Sequence, residues 1–322
     1  MKKGYWVLGG GVAVLLTLAI GLTGSSDVQK ESSESPLASV VSVSIPDSVV
    51  FGGETLVLDR YDKRERFDRE INAFAYLHSS TMLLIKRANR FFPIIEPILA
   101  KHNVPDDFKY LAVIESSLNV RALSPVKAAG LWQFMPATAK EFGLEVSAQV
   151  DERYHVEKST EAACRYLLKA YRELGSWANA AAAYNAGSSR IRTELSRQQV
   201  DSFFDLLLVD ETSRYVYRLF AIKAIFAQPS RYGFRLKQAD LYPPIRTKEV
   251  EVSGDVADFA FFAKEHGINY MILKDFNVWL RDRELQPKGR TYSIRIPVQE
   301  DMFCKPKDVR VHEPAWLFKG NF

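Results

Sequence analysis

The chain has few of the side chains that build metal centres and disulfide frameworks. Its 322 residues include two cysteines and five histidines. Neither Cys164 and Cys304 nor the scattered histidines have the spacing of a metal site, so we expect no metal. The two cysteines are either unpaired thiols or a single disulfide, which an exported protein is able to keep.

An excess of charge of one sign is also lacking. The 43 basic residues stand against 39 acidic ones, and the two kinds are interleaved along the chain. Because a nucleic-acid-binding protein concentrates its basic residues in a patch or stripe, we expect no nucleic-acid partner. The 47% hydrophobic content is enough for one large or two ordinary globular domains.

The N-terminal segment has no charged residue between Lys3 and Asp27. This apolar run exceeds both the roughly 18 residues of a membrane span and the core of about 7–15 residues in a signal peptide. The leading lysines predict a cytoplasmic N-terminus and an exported body. We expect residues 1–23 to be an inner-membrane anchor or a cleaved signal peptide. No cysteine stands directly after this apolar run, which excludes a lipoprotein anchor.

The next part of the chain changes from flexible to helical. Residues 24–60 begin with a serine-rich stretch and are expected to form a flexible tether, in which "ETLVLDRYD" is a short strand or an extended lead-in. Over residues 61–235 the apolar residues recur at helical spacing. This pattern predicts consecutive amphipathic helices, punctuated by Pro93, Pro97 and Pro105.

Later helix limits follow from capping residues. The helix that carries Glu115 is expected to run to Ser124, because a residue before proline is biased out of helix. Gly175 is expected to end one helix, Ser176 to cap the next, and Gly187 to terminate it.

The hydrophobic pattern changes again after Pro243 and Pro244. Alternating residues, two short helical segments and a closing alternating segment predict a separate β-α-α-β module at residues 245–300. Residues 301–322 are expected to be a C-terminal tail.

Glu115 lies on the apolar face of its helix. At about 100° per residue, it falls between Leu111 and Leu118. A carboxyl in an apolar groove has a raised pKa and can donate a proton near neutral pH. The alternative is a glutamate near a helix end that bends out to solvent.

Three further segments carry side chains suited to a sugar. In the loop "SPVKAAGLWQFMP", Gly130 permits close backbone approach, and Gln133 is a single amide among large apolar groups. Tyr184 and Asn185 lie at a helix C-terminus in "AYNAG", and Glu211, Tyr215 or both are expected to point inward in "ETSRYV". Ordinary packing is the alternative for each segment taken alone.

Together, "IESSLN", "AAGLWQFMPATAKEFGL", "AAYNAG" and "ETSRYV" resemble the lytic murein transglycosylases with a Glu-Ser motif, closest to the branch of membrane-bound lytic transglycosylase D. The resemblance covers about residues 92–228. It implies a mainly α fold, with a goose-type-lysozyme-like helical domain and a divergent LysM-like C-terminal module at residues 245–300. The site residues that it implies are catalytic Glu115, supporting Ser116 and Tyr184, and substrate-binding Trp132, Gln133, Met135, Asn185 and Tyr215.

The family reaction cleaves the β-1,4 bond between N-acetylmuramic acid and N-acetylglucosamine without water. One glutamate serves as acid and then as base, so no cofactor is implied. A hydrolytic muramidase on the same fold would need a second carboxylate, for which Glu145, Asp151 or Glu161 are candidates. A non-catalytic wall-binding protein is the other alternative. We expect a monomer in the periplasm or cell envelope that acts on glycan strands.

Overall fold

The computed structural model describes residues 41–303, 305 and 308–320. The anchor or signal peptide expected at residues 1–23, residues 24–40 of the tether and Cys304 lie outside the described residues. Within the described part, no helix is both long and apolar enough to cross a bilayer. The described residues from Ser42 onward belong to one unit.

A β-hairpin stands at the start of this unit. Strands β1 (Ser48–Phe51) and β2 (Glu54–Val57) pair antiparallel, and Gly52 and Gly53 between them have φ of +60° and +82°. Phe51 is only 1% exposed. Strand β2 lies in "ETLVLDRYD", where the sequence offered a short strand. Strand β1 falls in the range where a flexible tether was predicted, and the packing of Phe51 is the physical reason for this difference.

Eight α-helices follow in the described residues and confirm the mainly α prediction. Within them, Ser176 caps one helix by accepting from the backbone N–H of Asn179, and Gly187 ends it, as predicted. This helix is buried along the run Ala180–Ala183, whose small side chains let the neighbouring helices approach. The bounds are α1 Tyr61–Tyr76, α2 His78–Lys101, α3 Lys109–Ser116, α4 Pro136–Glu141, α5 Val156–Leu174, α6 Trp177–Ala186, α7 Ser188–Gln198 and α8 Asp210–Ala227.

Helix α2 runs through both prolines, so the predicted break is wrong. Pro93 and Pro97 are four residues apart and share the partly exposed side of the helix. Each proline lacks an N–H and therefore leaves one backbone carbonyl without its helical donor. On the inner side, Phe92 and Ile95 are fully buried. Packing of that inner face holds the helix together across the prolines.

Helix α3 is shorter than predicted, and α7 has no counterpart in the sequence prediction. Helix α3 stops at Ser116 rather than near Ser124, because Ser117 and Leu118 take positive φ angles of 56° and 54°. Helix α7 buries a single residue, Ile191. Its apolar pattern is therefore too weak to predict a helix.

The C-terminal module has the predicted β-α-α-β order. It consists of strands β3 (Thr247–Val252) and β4 (Tyr292–Pro297), paired antiparallel, with helices α9 (Phe259–Glu265) and α10 (Tyr270–Phe276) between them. Its core is continuous with the helical domain, because Ala129, Val150 and Tyr154 pack in the same cluster as its own apolar residues. The module is therefore docked rather than separate.

The residues after the module also fold back onto the helices. Trp316 is 3% exposed, and its indole N–H donates to the carbonyl of Phe226 at 3.1 Å. Asn89 on α2 donates to the carbonyl of Arg310 and accepts from the N–H of His312. The segment expected to be a tail is thus part of the helical core, because it brings apolar and hydrogen-bonding groups to α2 and α8.

We predict that Trp316→Ala lowers the free energy of unfolding by about 3–5 kcal/mol, since it leaves a large cavity and an unpaired carbonyl. Urea denaturation followed by circular dichroism measures this loss. Phe303→Ala is the matched control, because Phe303 is 65% exposed and its truncation should change stability by no more than about 0.5 kcal/mol. Equal stability of the two variants would contradict the packed position of the segment.

Candidate active site

Glu115 occupies the last turn of α3, between two buried leucines. Leu111 is 0% and Leu118 is 1% exposed. The left-handed backbone at Ser117 and Leu118 ends the helix directly after the acid. Burial withdraws water from the carboxylate form and raises the pKa of Glu115 to about 7. A group with this pKa carries its proton in a large share of molecules at neutral pH.

Tyr215 on α8 holds the carboxyl of Glu115. Its hydroxyl donates a hydrogen bond to Oε1 of Glu115, which favours the charged form and so lowers the pKa against the effect of burial. Tyr215 is 3% exposed, and burial beside this carboxylate raises its own pKa far above the ordinary range. The phenol therefore stays protonated and able to donate this hydrogen bond. Oε2 of Glu115 forms no hydrogen bond with any described residue and is left for a ligand.

Two further charges on α8 act on the same carboxyl. The guanidinium of Arg218 lowers the pKa of Glu115, and the carboxylate of Glu211 raises it. Glu211 lies in the first turn of α8 and is exposed. Of the two inward-pointing candidates in "ETSRYV", it is Tyr215 that points inward.

Ser116 and Tyr184 stand beside the acid without bonding to it. The hydroxyl of Ser116 donates to the carbonyl of Ala112 at 3.0 Å, within its own helix. The hydroxyl of Tyr184 donates to the carbonyl of Trp132 at 2.8 Å. Neither of the two residues expected to support the acid donates to it, because their hydroxyls are engaged by backbone carbonyls. The hydrogen bond to the carboxyl comes from Tyr215 instead.

The loop after α3 presents Gln133 and Met135. The side-chain nitrogen of Gln133 donates to the carbonyl of Gly130 at 2.9 Å, and within the described residues its oxygen Oε1 has no hydrogen bond. Met135 is 42% exposed and precedes α4. A polar acceptor beside an exposed thioether is a surface suited to a sugar.

Trp132 does not face this surface. Its side chain is 0% exposed, and its indole N–H donates to the hydroxyl of Thr160 at 2.9 Å. The expectation that Trp132 binds substrate is corrected on this ground, because a fully buried ring offers no face to a ligand. Trp132 instead packs the loop onto α5.

A buried ion pair, which the sequence did not predict, is hydrogen-bonded to the backbone of the loop that carries Gln133. Arg153 forms a bidentate pair with Asp151, at 2.9 and 2.7 Å. Its remaining nitrogen donates to the carbonyls of Lys127 and Phe134 at 2.7 and 3.0 Å. Gly130 is required at this point, since a Cβ there would lie 1.9 Å from the carbonyl oxygen of Arg153. Of these residues, only Gly130 indicated in the sequence that two backbone segments come close together.

Asn185 is tied to α8. Its side-chain oxygen accepts a hydrogen bond from the hydroxyl of Thr212 at 3.0 Å. Thr212 belongs to the segment "ETSRYV" and is 3% exposed. The "AYNAG" and "ETSRYV" segments are thus brought together, with Tyr184 and Tyr215 on the same side as Glu115.

The three carboxylates considered as second catalytic groups are engaged elsewhere. Asp151 pairs with Arg153, and Glu145 accepts from the hydroxyl of Tyr292 at 2.9 Å. Glu161 forms a salt bridge with a lysine of α2 at 3.2 Å. The residues that the structure describes contain no group of three or more potential metal ligands.

Two stretches of the chain match known families. Residues 92–205 match the family described as transglycosylase SLT domain. Residues 248–300 match the soluble lytic transglycosylase C-terminal LysM-like domain. Both matches confirm the family resemblance seen in the sequence.

Named relatives cover parts of the chain. Membrane-bound lytic murein transglycosylase D from Escherichia coli (strain K12) is 30% identical over 239 residues, which are 73% of this chain and 51% of that protein. The soluble lytic murein transglycosylase of the same strain is 33% identical over 121 residues, 35% of this chain and 19% of that one. Among solved structures, the 70 kDa soluble lytic transglycosylase from Escherichia coli is 25% identical, with a TM-score of 0.39, over 51% of this chain and 29% of that one. The chain thus spans about half the length of membrane-bound lytic murein transglycosylase D.

We predict that Tyr215→Phe raises the pKa of Glu115 above its value of about 7, because the variant removes the one hydrogen bond that favours the carboxylate. A carbon-13 NMR titration of the glutamate carboxyls measures this pKa. Tyr217→Phe is the matched control on the same helix, since the hydroxyl of Tyr217 is buried without a hydrogen-bond partner in the described residues. An unchanged pKa in Tyr215→Phe would refute the role of the phenol.

Proposed function

Because residues 92–205 match the family described as transglycosylase SLT domain, we propose that this protein is a peptidoglycan lytic transglycosylase. It cleaves the β-1,4 bond between N-acetylmuramic acid and N-acetylglucosamine and leaves 1,6-anhydromuramoyl ends. The observation that carries the proposal is the carboxyl of Glu115, which is half-buried, has a pKa raised to about 7 and keeps Oε2 open to a ligand.

The first step uses Glu115 as an acid. Its protonated carboxyl donates to the glycosidic oxygen while the bond from that oxygen to C1 of the muramoyl residue breaks. Positive charge then develops on C1 and the ring oxygen, as in other glycosidic cleavages. The raised pKa supplies the proton at neutral pH.

The second step uses the same group as a base. The carboxylate formed in the first step takes the proton of the muramoyl C6 hydroxyl, and the C6 oxygen bonds to C1. This closes the anhydro ring and returns Glu115 to its protonated form. Since the substrate supplies the nucleophile, neither water nor a second carboxylate takes part.

The neighbouring residues have supporting roles in this proposal. Tyr215 orients the carboxyl of Glu115 through its hydrogen bond. Gln133 and Met135 hold the glycan through the free amide oxygen and the exposed thioether. Asn185 and Tyr184 shape the groove next to the acid, and Ser116 packs behind it.

The site of action that we propose is the cell envelope. The first relative carries "membrane-bound" and "murein" in its name, and peptidoglycan lies outside the cytoplasm. Residues 1–23 would attach the protein to the inner membrane if they are not cleaved. The LysM-like module is proposed to bind glycan, and the protein to act as a monomer.

A hydrolytic muramidase is the competing function, and one carboxylate near Glu115 is a candidate for the base that it needs. Glu211 is the carboxylate whose charge acts on Glu115, so it is the group to examine as a water-activating base. The non-catalytic alternative predicts binding to murein without any cleavage.

We predict that Glu115→Gln lowers the rate of murein cleavage by about 10²–10⁴-fold, the usual contribution of a general acid or base. The matched control, Glu211→Gln, should retain most of the rate at pH 5.5 and still give anhydro ends. Mass spectrometry of digested murein separates anhydro from reducing ends. Reducing ends from the parent protein would overturn the transglycosylase assignment, and full activity of Glu115→Gln would overturn the role of this residue.

We also predict a fall in kcat/KM as the pH rises through about 7, the pKa of Glu115. The protonated form is the active one, so the rate should drop about tenfold per pH unit on the alkaline side. In Glu211→Gln the fall should begin at lower pH, because the carboxylate that raises the pKa of Glu115 is gone. A rate that stays constant up to pH 9 would contradict the assignment. Initial rates of turbidity loss at low substrate concentration provide the measurement.

A further inference from the structure

The loop that carries Gln133 contains two residues in an unfavourable backbone conformation. We call residues 124–135, which lead into α4, the groove loop. Lys127 and Gln133 have φ angles of +67° and +49°, in the left-handed region that is unfavourable for a residue with a Cβ. Such backbone persists only where the surrounding structure holds it. The conformation of Gln133 therefore depends on contacts from outside the loop.

Arg153 contacts the backbone of the groove loop at two carbonyls. Its Nη1 donates to the carbonyl of Lys127 at 2.7 Å and to the carbonyl of Phe134 at 3.0 Å. The first carbonyl belongs to a left-handed residue, and the second directly follows the left-handed Gln133. Since Phe134 stands between Gln133 and Met135, this bond fixes the chain between the two residues that we propose to hold the glycan.

The guanidinium of Arg153 is itself held in one orientation. Its Nε and Nη2 donate to the two carboxylate oxygens of Asp151 at 2.9 and 2.7 Å, and both residues are 6% exposed. A bidentate pair of this kind fixes the plane of the guanidinium as well as its position. The backbone N–H of Asp151 donates to the carbonyl of Trp279 at 2.8 Å, so the ion pair is also bonded to the LysM-like module. Arg153 thus reaches both carbonyls of the loop from a fixed position.

Arg153 does not act directly on the acid or on a ligand. Within the described residues, the charges and hydrogen bonds that shift the pKa of Glu115 come from Tyr215, Arg218 and Glu211. Arg153 is not one of them, and a side chain buried to this extent offers no surface to a sugar. Any effect of Arg153 on the reaction therefore passes through the groove loop, and it should appear in substrate binding rather than in proton transfer.

We propose that Arg153 is a positioning residue, which holds Gln133 and Met135 in the conformation that binds the glycan. This inference rests on the proposed function, because it takes a glycan strand as the ligand of the groove. Without the two bonds from Arg153, the left-handed residues of the loop relax and the amide of Gln133 is displaced. A displacement of about 1 Å in a binding group costs up to about 10²-fold in rate or affinity.

The test replaces the ion pair without leaving a buried charge. Arg153→Met alone would leave the carboxylate of Asp151 unpaired, which destabilises a fold strongly. The pair variant therefore combines Arg153→Met with Asp151→Asn, whose side-chain oxygen can still accept from the backbone N–H of residue 153, as Asp151 does at 3.2 Å. Trp316→Ala is the matched control, because it loses stability through contacts with α2 and α8 and not with the groove loop. Circular dichroism selects a temperature at which all variants are folded.

Binding is measured by isothermal titration calorimetry with short, soluble, peptide-free glycan strands of murein. All proteins in this experiment carry Glu115→Gln, so that the strands are bound and not cleaved. The pair variant should raise the Kd at least about tenfold, and Trp316→Ala should leave it unchanged. An unchanged Kd in the pair variant, an equal rise in Trp316→Ala, or no binding by the Glu115→Gln protein itself would overturn the inference.

A double-mutant cycle shows whether Arg153 acts through Gln133. Gln133→Ala should itself raise the Kd of the strands. When it is added to the pair variant, the total rise should be smaller than the product of the two separate rises, because residues that act as one unit are not additive. A total equal to that product would mean that Arg153 and Gln133 act independently, and the positioning role would be wrong. A general loss of stability does not produce this coupling.

Cleavage assays with Glu115 intact separate this inference from the proposed function. The pair variant should raise KM at least about tenfold, change kcat by less than about threefold, and keep the fall in kcat/KM near pH 7, because the acid is unchanged. A lower kcat at unchanged KM would indicate lost active protein and would contradict the positioning role.

The two proposals fail in different ways. Anhydro ends together with an unchanged KM in the pair variant would leave the proposed function standing and remove only the role of Arg153. Reducing ends together with a raised KM and the coupling to Gln133 would do the reverse.

Discussion

Burial of the Glu115 carboxyl is the constraint on which the rest of the helical domain depends. An acid beside two buried leucines is unfavourable when ionised, so its surroundings must be rigid enough to keep water out. Phe51 of the hairpin contacts Phe108, directly before α3, and Phe220 of α8, with ring centroids 5.1 and 5.3 Å apart. The hairpin therefore packs against the start of α3 and against α8, the two helices that carry Glu115 and Tyr215.

The loop that carries Gln133 is fixed in a different way. Arg153 joins two of its carbonyls to Asp151, and the backbone N–H of Asp151 donates to the carbonyl of Trp279 in the module at 2.8 Å. The LysM-like module is thereby linked by a continuous set of buried hydrogen bonds to the groove beside the acid. A buried guanidinium is tolerated here because the carboxylate and the carbonyls satisfy its donors.

The sequence was sufficient for those features that depend on local pattern. Ser176 and Gly187 set the limits of α6, and the apolar stripe placed Glu115 on a buried face. It was insufficient where distant packing decides. Pro93 lies within a continuous helix because the opposite face is buried, and the fully buried Trp132 is indistinguishable in sequence from a tryptophan that faces a ligand. The partner of Glu115 is 100 residues away, and no local pattern reports such a contact.

The return of the C-terminal segment to α2 has a consequence for how the protein folds. The ring centroids of Trp316 and Phe92 are 6.0 Å apart. The side-chain amide of Asn89 donates a hydrogen bond to the carbonyl of Arg310, 221 residues further along the chain. Contacts of such high order form late, because a long loop must close before they stabilise anything. The helical domain therefore cannot complete its core before residue 316 has been synthesised. Until then, apolar surface on α2 and α8 stays uncovered, and in that interval the chain is most open to aggregation and to chaperones.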